Sequence, residues 1–438
     1  MDSRMNRAVR CLSSFLSVLL FATPIAALAD VPQNERAALL AIYSSTGGTS
    51  WTSQAHWNTS DPVCPGNVSN NWSGILCDIS NSTVTSIDLG HNNLAGTLPK
   101  LDAFNNLHSL IVADNHLSGP IPDLSNLQNL VTFYGFTNNF SGPIPSMDGL
   151  KKLTLFDVGN NQLTGSIPSL TTLTSLQIFA VDGNQLSGNL PVLSGLSELL
   201  EFYAYDNRIS GDLPSLVGLG NLRVFDVGNN QIDGQIPPLT GLDNLNTFDV
   251  SVNNLTGELP SLSDLKYLAY FYVHINHLSG PVPSLSGLNN LSDFYISRND
   301  FSGGFPDLSG LTALKQLYIS FNRLSGEIPA AAFTGLTRLK VARLANNQFT
   351  GSLPAAPPNL TANSSSLCPN QFAFTSNVNW DAATGVTPWY SACSSPEPVP
   401  VRHMSEWGFF LLLATIMAAA IMQSTTRSGN HCDSSQGS

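Results

Sequence analysis

The sequence has little charge and few cysteines. Of its 438 residues, 11% are charged, and 18 Lys and Arg stand against 30 Asp and Glu, which gives a formal net charge of −12. Because nucleic-acid binding needs a basic surface, this deficit of cations argues against nucleic acid as a partner. The six cysteines contain no Cys-x-x-Cys pair, and no phosphate-binding glycine loop, HExxH helix or nucleophile elbow is present. We therefore expect no metal and no cofactor.

Residues 1–29 carry the pattern of a secretory signal peptide. Three arginines precede an apolar stretch, and a small-residue Ala-Leu-Ala cleavage site ends at Ala29. An uncleaved membrane anchor is the alternative, although the apolar stretch is short for a membrane span. The sequence therefore predicts an exported mature chain that begins at Asp30.

A second apolar segment, residues 405–427, lies between a linker at 396–404 and a tail at 428–438. Residues 408–426 are uncharged and would span about 28 Å as a helix, which just suffices to cross a bilayer. The Ser-Glu-Trp-Gly run that opens the segment, with the apolar stretch after it, resembles the bacterial C-terminal sorting signal IPTL-CTERM. Val-Arg-His-Met replaces the Ile-Pro-Thr-Leu run of that signal. The resemblance implies a Gram-negative surface protein that is membrane-anchored at least transiently.

The middle of the chain is one motif repeated twelve times. Asn recurs every 23 residues from Asn92 to Asn322 and once more at Asn347, with Gly four residues and Pro seven residues after each. Such a period is the signature of leucine-rich repeats. The Leu-Ser-Gly-Pro-Val-Pro run at 278–283 resembles the plant-type subfamily. We therefore expect a leucine-rich repeat solenoid over 85–359, a curved right-handed superhelix with a parallel β-sheet on its concave face and short 3-10 or irregular segments on its convex face.

Each repeat has a predictable division of roles. Residues five and three before the Asn alternate with polar neighbours, which indicates a short strand with one buried face. The Asn amide can satisfy backbone groups at the turn that follows. Eight successive repeats have Phe five residues before the Asn, and we expect these rings to form a buried spine. They are Phe133, Phe156, Phe179, Phe202, Phe225, Phe248, Phe271 and Phe294.

Two caps are expected to close the ends of the solenoid. In the first, residues 30–84, a helix over Glu35–Tyr43 precedes a Trp-Ser-Gly-Ile-Leu-Cys run at 72–77 that is similar to the N-terminal cap of plant-type repeats. The second cap, residues 360–395, is rich in aromatic residues. Four cysteines lie in the caps, and in an exported chain the simplest pairings are disulfides that staple each cap. These are Cys64–Cys77 and Cys368–Cys393.

Seven of the ten tyrosines fall at outward strand positions of the concave face. Tyr272, Tyr295 and Tyr318 should form a column on adjacent strands. Rigid rings with polar tips suit a recognition surface, whereas the alternative is a purely structural ladder of tyrosines. The candidate ligand-binding patch comprises Tyr203, Tyr205, Tyr270, Tyr272, His274, Tyr295 and Tyr318.

Paired aspartates on the same face could mimic the carboxylate dyad of a hydrolase. Asp226 and Asp249 occupy equivalent positions in successive repeats. We expect them to be exposed on an open face, without a pocket that would shift a pKa, so the sequence predicts no catalytic residue.

The sequence therefore favours a non-enzymatic exported surface protein that binds an extracellular protein or polysaccharide on its concave face. We expect it to be monomeric and to contact the membrane through residues 405–427. The alternative is a eukaryotic, plant-like receptor-like protein or an inhibitor of secreted hydrolases. In that case sequons such as the one at Asn254 would carry glycans. An enzyme is the third class, and no motif in the sequence supports it.

Overall fold

A computed structural model describes residues 30–57, 60–65 and 71–393. The expected signal peptide at 1–29, the linker at 396–404, the anchor segment at 405–427 and the tail at 428–438 lie outside the described residues. Within the described part, no helix has the length and apolar character needed to cross a membrane. The chain divides into the units Met1–Tyr390 and Ser391–Ser438. The first is described below; in the second, only the end of the 3-10 helix Trp389–Cys393 is described.

The described residues of the first unit form two α-helices and a long series of short strands. Helix α1 spans Gln33–Ser45, a 3-10 helix spans Gly48–Ser50, and helix α2 spans Val378–Thr384. The strands in chain order are β1 Ile75–Cys77, β2 Val84–Asp88, β3 Ala95–Gly96, β4 Ser109–Ile111, β5 His116–Gly119, β6 Thr132–Tyr134, β7 Asn139–Gly142, β8 Leu155–Asp157, β9 Gln162–Gly165, β10 Ile178–Ala180, β11 Gln185–Gly188, β12 Glu201–Tyr203, β13 Arg208–Asp212, β14 Val224–Asp226, β15 Gln231–Asp233, β16 Thr247–Asp249, β17 Thr256–Glu258, β18 Tyr270–Tyr272, β19 His277–Pro281, β20 Asp293–Tyr295, β21 Asp300–Ser302, β22 Gln316–Tyr318, β23 Ser325–Glu327, β24 Val341–Arg343, β25 Gln348–Gly351 and β26 Gln371–Phe372.

These strands wind into a parallel solenoid. The even-numbered strands from β2 to β24, with β1 antiparallel at the edge, form one 13-stranded sheet in chain order. The odd-numbered strands form a 7-stranded sheet and two 3-stranded sheets, the last of which also includes β26. The register follows the 23-residue period, so that Phe225 pairs with Phe248. The expected solenoid of about twelve turns is therefore confirmed.

The spine of phenylalanines is buried as predicted. Each of the eight rings is fully shielded from solvent in the middle of its strand. Neighbouring rings stack with centroids 5.4 to 5.9 Å apart. Because every ring packs on the next, the repeats share one continuous core, which is how a solenoid gains its stability.

The repeated asparagines form a second continuous network. The Asn138 Nδ2 donates to the carbonyl oxygens of Val112 (2.9 Å), Gly135 (3.3 Å) and Phe136 (3.3 Å). Its Oδ1 accepts from the N–H of Leu117 at 2.9 Å in the preceding repeat. The amide thus satisfies backbone groups that the turn leaves without strand partners, as the sequence predicts.

The asparagine network continues one repeat further than expected. Asn370, which lies in the predicted C-terminal cap, donates to the carbonyls of Leu344 and Leu367 and accepts from the N–H of Phe349. The cap therefore begins as a partial thirteenth turn. This partial turn does not match the repeat pattern, because Phe374 occupies the position of the Gly in a full repeat.

The N-terminal cap covers the first edge of the solenoid. Helix α1 extends slightly beyond the predicted Glu35–Tyr43, and the Glu35 carboxylate is buried, where it accepts from the N–H of Val84 at 2.7 Å. The predicted Cys64–Cys77 disulfide is confirmed. The Cys368–Cys393 pairing and the domain boundaries stay predictions.

Candidate functional site

One line of outward side chains crosses the last six strands of the 13-stranded sheet. The strand register places each residue directly beside the next, in the order Asp226, Asp249, Tyr272, Tyr295, Tyr318 and Arg343. The line thus carries carboxyls at one end, aromatic rings in the middle and a guanidinium at the other end.

The tyrosine column lies where the sequence predicts it. The ring centroids of Tyr272 and Tyr295 are 4.9 Å apart, and those of Tyr295 and Tyr318 are 4.1 Å apart. The Arg343 guanidinium lies 5.1 Å from the Tyr318 ring centre, within the range of a cation–π contact. Tyr270, at the start of β18, is 6.4 Å from Tyr272. The rings are half-buried, so each presents one side to solvent.

The tyrosine hydroxyls are anchored by neighbouring side chains. Tyr272 donates to an Asp293 carboxylate oxygen at 3.3 Å, and Tyr295 donates to the Gln316 amide oxygen at 2.6 Å. Burial, with the nearby Asp293 carboxylate, raises the pKa of both phenols above its usual range. The rings are therefore neutral and held in fixed orientations, which lowers the entropic cost of contacting a ligand.

His274 adds a polar atom beside the column. Its ring centroid is 5.8 Å from that of Tyr295, and burial together with Arg298 lowers its pKa to about 4. At neutral pH the imidazole is therefore uncharged. Its Nδ1 is buried without a hydrogen-bond partner, an arrangement that costs free energy.

The predicted seven-residue patch divides into two groups. Tyr270, Tyr272, His274, Tyr295 and Tyr318 lie together, and we call them the aromatic patch. Tyr203 is three strands away from Tyr272, which is about 14 Å at the usual strand spacing. Its hydroxyl donates to Glu201 at 3.1 Å. Tyr205 hydrogen-bonds Asp182. These two tyrosines therefore belong to an acidic neighbourhood.

The aspartates of this face are not fully exposed, contrary to expectation. Burial raises the pKa of Asp157 to about 7, and it raises those of Asp182 and Asp249 to about 6. Burial, with repulsion from Asp249, also raises the pKa of Asp226. The reason is crowding, since outward side chains on strands about 4.8 Å apart shield one another from water. Among the described residues, no group of three or more His, Cys, Asp or Glu could hold a metal ion.

A further row of residues borders the aromatic patch. In every repeat the residue just before the repeated Asn has positive φ, a conformation that Asn, Asp and Gly tolerate best. In four successive repeats, however, that position holds bulkier side chains with φ of 55° to 57°. We call these the strained row: Val252, Ile275, Arg298 and Phe321.

The strained row lies alongside the aromatic patch through backbone pairing. The Val252 N–H donates to the His274 carbonyl at 2.9 Å, and the Arg298 guanidinium lies 4.6 Å from the centre of the Phe321 ring. This row was not predicted from the sequence. Its signal is visible in hindsight, because the same position in the other repeats carries mostly small polar residues or glycine. Those residues are His91, Asp114, Thr137, Asn160, Gly183, Asp206, Asn229 and Asn346.

Comparison with known families identifies two parts of the chain. Residues 32–78 match the model of the leucine rich repeat N-terminal domain, and residues 313–333 match the leucine rich repeat model. No curated protein sequence matches the chain.

Several solved structures share the fold. The Arabidopsis receptor kinase HAESA, in complex with the peptide hormone IDA and the co-receptor SERK1, is 25% identical over 78% of this chain and 62% of its own, with a TM-score of 0.62. PEPR1 in its complex with AtPEP1 is also 25% identical, over 78% of this chain and 59% of its own, with a TM-score of 0.53. InlJ of Listeria monocytogenes is 18% identical over 70% of this chain and 69% of its own, with a TM-score of 0.53.

The chain spans less than two thirds of the length of HAESA and of PEPR1. The likeness to InlJ is one of fold alone. Together with the two family matches, these structures show that the fold is a leucine-rich repeat solenoid with an N-terminal cap, and that it resembles the ectodomains of plant peptide-hormone receptors.

Proposed function

We propose that the protein is an exported, non-enzymatic binding protein that holds a protein or peptide ligand on the aromatic patch. The observation that carries the proposal is the column of Tyr272, Tyr295 and Tyr318, with rings 4.9 and 4.1 Å apart on three adjacent strands. Half-buried tyrosines with fixed hydroxyls combine apolar area with little loss of side-chain entropy on binding, which is typical of interface hot spots.

The resemblance to receptor ectodomains favours a protein ligand over a polysaccharide. HAESA and PEPR1 were each solved with a partner, IDA in the first case and AtPEP1 in the second. Export is supported by the Cys64–Cys77 disulfide, since such bonds persist in oxidising compartments. Anchoring through residues 405–427 and a monomeric state belong to the same proposal, and a polysaccharide is the alternative ligand that the test below separates from a peptide.

A eukaryotic receptor-like protein is the second candidate, and the resemblance to HAESA favours it. The two candidates differ in processing. A bacterial surface protein would have an unglycosylated mass, whereas a plant-like protein would lose mass on treatment with a glycosidase at sequons such as Asn254. Intact mass and cell fractionation of the native protein would also locate both termini and show whether residues 405–427 are retained.

Catalysis has a weaker physical basis than binding. Asp226 and Asp249 have raised pKa values, as catalytic acids often do. They lie side by side on the outward face of the sheet, so crowding by their neighbours is enough to account for the raised pKa values without a catalytic role. The neighbouring aromatic patch offers contact area and neutral phenols, whose raised pKa values disfavour the phenolate that a nucleophile would need.

The test is a comparison of two variants of the full chain. A display library of random dodecapeptides and a panel of soluble polysaccharides would be tested against wild type and against Tyr272→Ala/Tyr295→Ala. We expect peptides to be enriched by wild type and their binding to fall at least tenfold in the double variant, because each ring is a hot-spot side chain. Tyr267→Ala is the matched control, since Tyr267 is an exposed tyrosine outside the patch. Equal binding by all three proteins would refute the proposal.

A further inference from the structure

The ligand's chemistry can be read from the line that contains the tyrosine column. This line begins with two adjacent carboxyls, Asp226 and Asp249, continues through three tyrosines, and ends at Arg343. Six residues on neighbouring strands span about 24 Å, which equals the length of about seven residues of extended peptide.

The acidic end of the line is electrostatically frustrated. Asp226 and Asp249 are paired on neighbouring strands. Asp226 accepts from the Gly228 N–H at 3.1 Å. Asp249 accepts from the Ser251 N–H at 2.8 Å and from the Ser251 hydroxyl at 2.6 Å, so these partners of both carboxyls are neutral groups. Burial and mutual repulsion disfavour their ionised forms. A cationic side chain placed between them would relieve that repulsion.

The opposite end of the line has the reverse sign. Arg343 is exposed beside Tyr318. Arg298 and exposed Phe321, from the strained row, lie on the two repeats before Arg343. Between the charged ends, the rings of the aromatic patch and the aliphatic Val252 and Ile275 offer apolar contact, and the buried Asp293 carboxyl beside Tyr272 is occupied by the hydroxyl of that ring.

Resting on the proposed function, we infer that the occupant is an extended peptide segment of about seven residues with an asymmetric charge pattern. Its basic residues lie over Asp226 and Asp249, its apolar or aromatic residues lie over Tyr272 and Tyr295, and an acidic residue lies at Arg343. Charge complementarity fixes the direction in which the peptide crosses the strands.

The same display experiment, read by sequence, tests this inference. We expect the peptides enriched by the full chain to carry a basic block at one end, an acidic residue at the other end and an apolar block between them. A synthetic peptide with the most frequent sequence would then be titrated calorimetrically against charge variants. Asp226→Asn/Asp249→Asn keeps the hydrogen-bond acceptors, and its affinity should fall at least tenfold with a weaker dependence on salt. Arg343→Gln should lose about threefold.

The control for charge is Asp123→Asn, which removes an acidic group that lies outside this line and should leave the affinity unchanged. If the aspartate variants bind like wild type while Tyr272→Ala/Tyr295→Ala abolishes binding, the charge pattern is wrong and the proposed function stands. If no enriched peptide depends on Tyr272 and Tyr295, or if a polysaccharide is the only ligand that does, both the inference and a peptide ligand are wrong.

Discussion

Two stretches of the same sheet share a scaffold and differ in their surface. From Asn138 to Asn230, and again from Asn253 to Asn322, the asparagine network and the buried aromatic or leucine position repeat without change. The residue before the Asn is Thr, Asn, Gly or Asp in the first stretch, whereas the second stretch carries the strained row. Bulky residues at positive φ cost of order 1–3 kcal/mol each. The buried scaffold and the outward residues therefore vary independently, and backbone strain is concentrated beside the aromatic patch.

The largest effect should come from the shared scaffold and should be equal in both stretches. Asn161→Ala and Asn276→Ala each remove the acceptor of a buried backbone N–H, that of Phe140 or Leu255, and one of the two donors to the carbonyl of Gly135 or Val250. We expect each variant to lose about 3 kcal/mol of unfolding free energy. Urea denaturation measures this loss. A difference of more than about 1 kcal/mol between the two variants would show that the scaffold is not equivalent along the sheet.

The strained row should respond to substitution with the opposite sign from the relaxed turns. Val252→Asn places a residue that tolerates positive φ in a strained turn, and it should raise the unfolding free energy by about 1 kcal/mol. Asn160→Val makes the reverse change at an exposed turn of the first stretch, and it should cost about the same amount. Thermal melting compares the two. Shifts of the same sign would refute the claim that the row stores strain.

The smallest effect concerns the acidic part of the first stretch. The folded-state pKa of Asp157, about 7, lies above its unfolded value, so the folded protein binds a proton more tightly between about pH 4 and 7. The stabilisation that this proton gives is therefore present at low pH and is lost as pH rises through 7. Asp157→Asn keeps the acceptor for the Gly159 N–H and should raise the melting temperature by a few degrees at pH 7.5, with little effect at pH 4.

Asp123→Asn is the control for that comparison, because hydrogen bonds from Ser125 lower the pKa of Asp123 and it has no buried charge to relieve. An equal effect of Asp157→Asn at both pH values would contradict the assignment of a raised pKa.

Most of the fold could be predicted from the repeat pattern. A period of 23 residues is enough to place the strands, the phenylalanine spine, the asparagine network and the tyrosine column, because in a solenoid equal sequence spacing becomes equal spatial position. The partial turn at Asn370 was missed because it lacks the Gly that defines the other repeats. The buried carboxylate of Glu35 was missed because its partners, Thr83 and Val84, lie at the start of β2, far from Glu35 along the chain.

The site was less predictable than the fold. Sequence position shows which side chains point outward, and it therefore identified Tyr272 and His274. It does not show how far neighbouring side chains shield one another, so the raised pKa of Asp249 was not foreseen. The strained row was also missed, because its signal is a departure from the small polar residues of the other repeats, and that departure indicates strain only once the φ of Ile275 is known to be positive.

The most direct test of peptide binding beside the strained row is the affinity of the selected peptide for Ile275→Asn. The melting temperature of that variant is measured with it. If the strained row is kept for ligand contact, the variant should melt at the same or a higher temperature than wild type and bind the peptide about tenfold more weakly. Unchanged affinity in a stabilised variant would contradict the inference that Ile275 offers apolar contact to the ligand beside the aromatic patch.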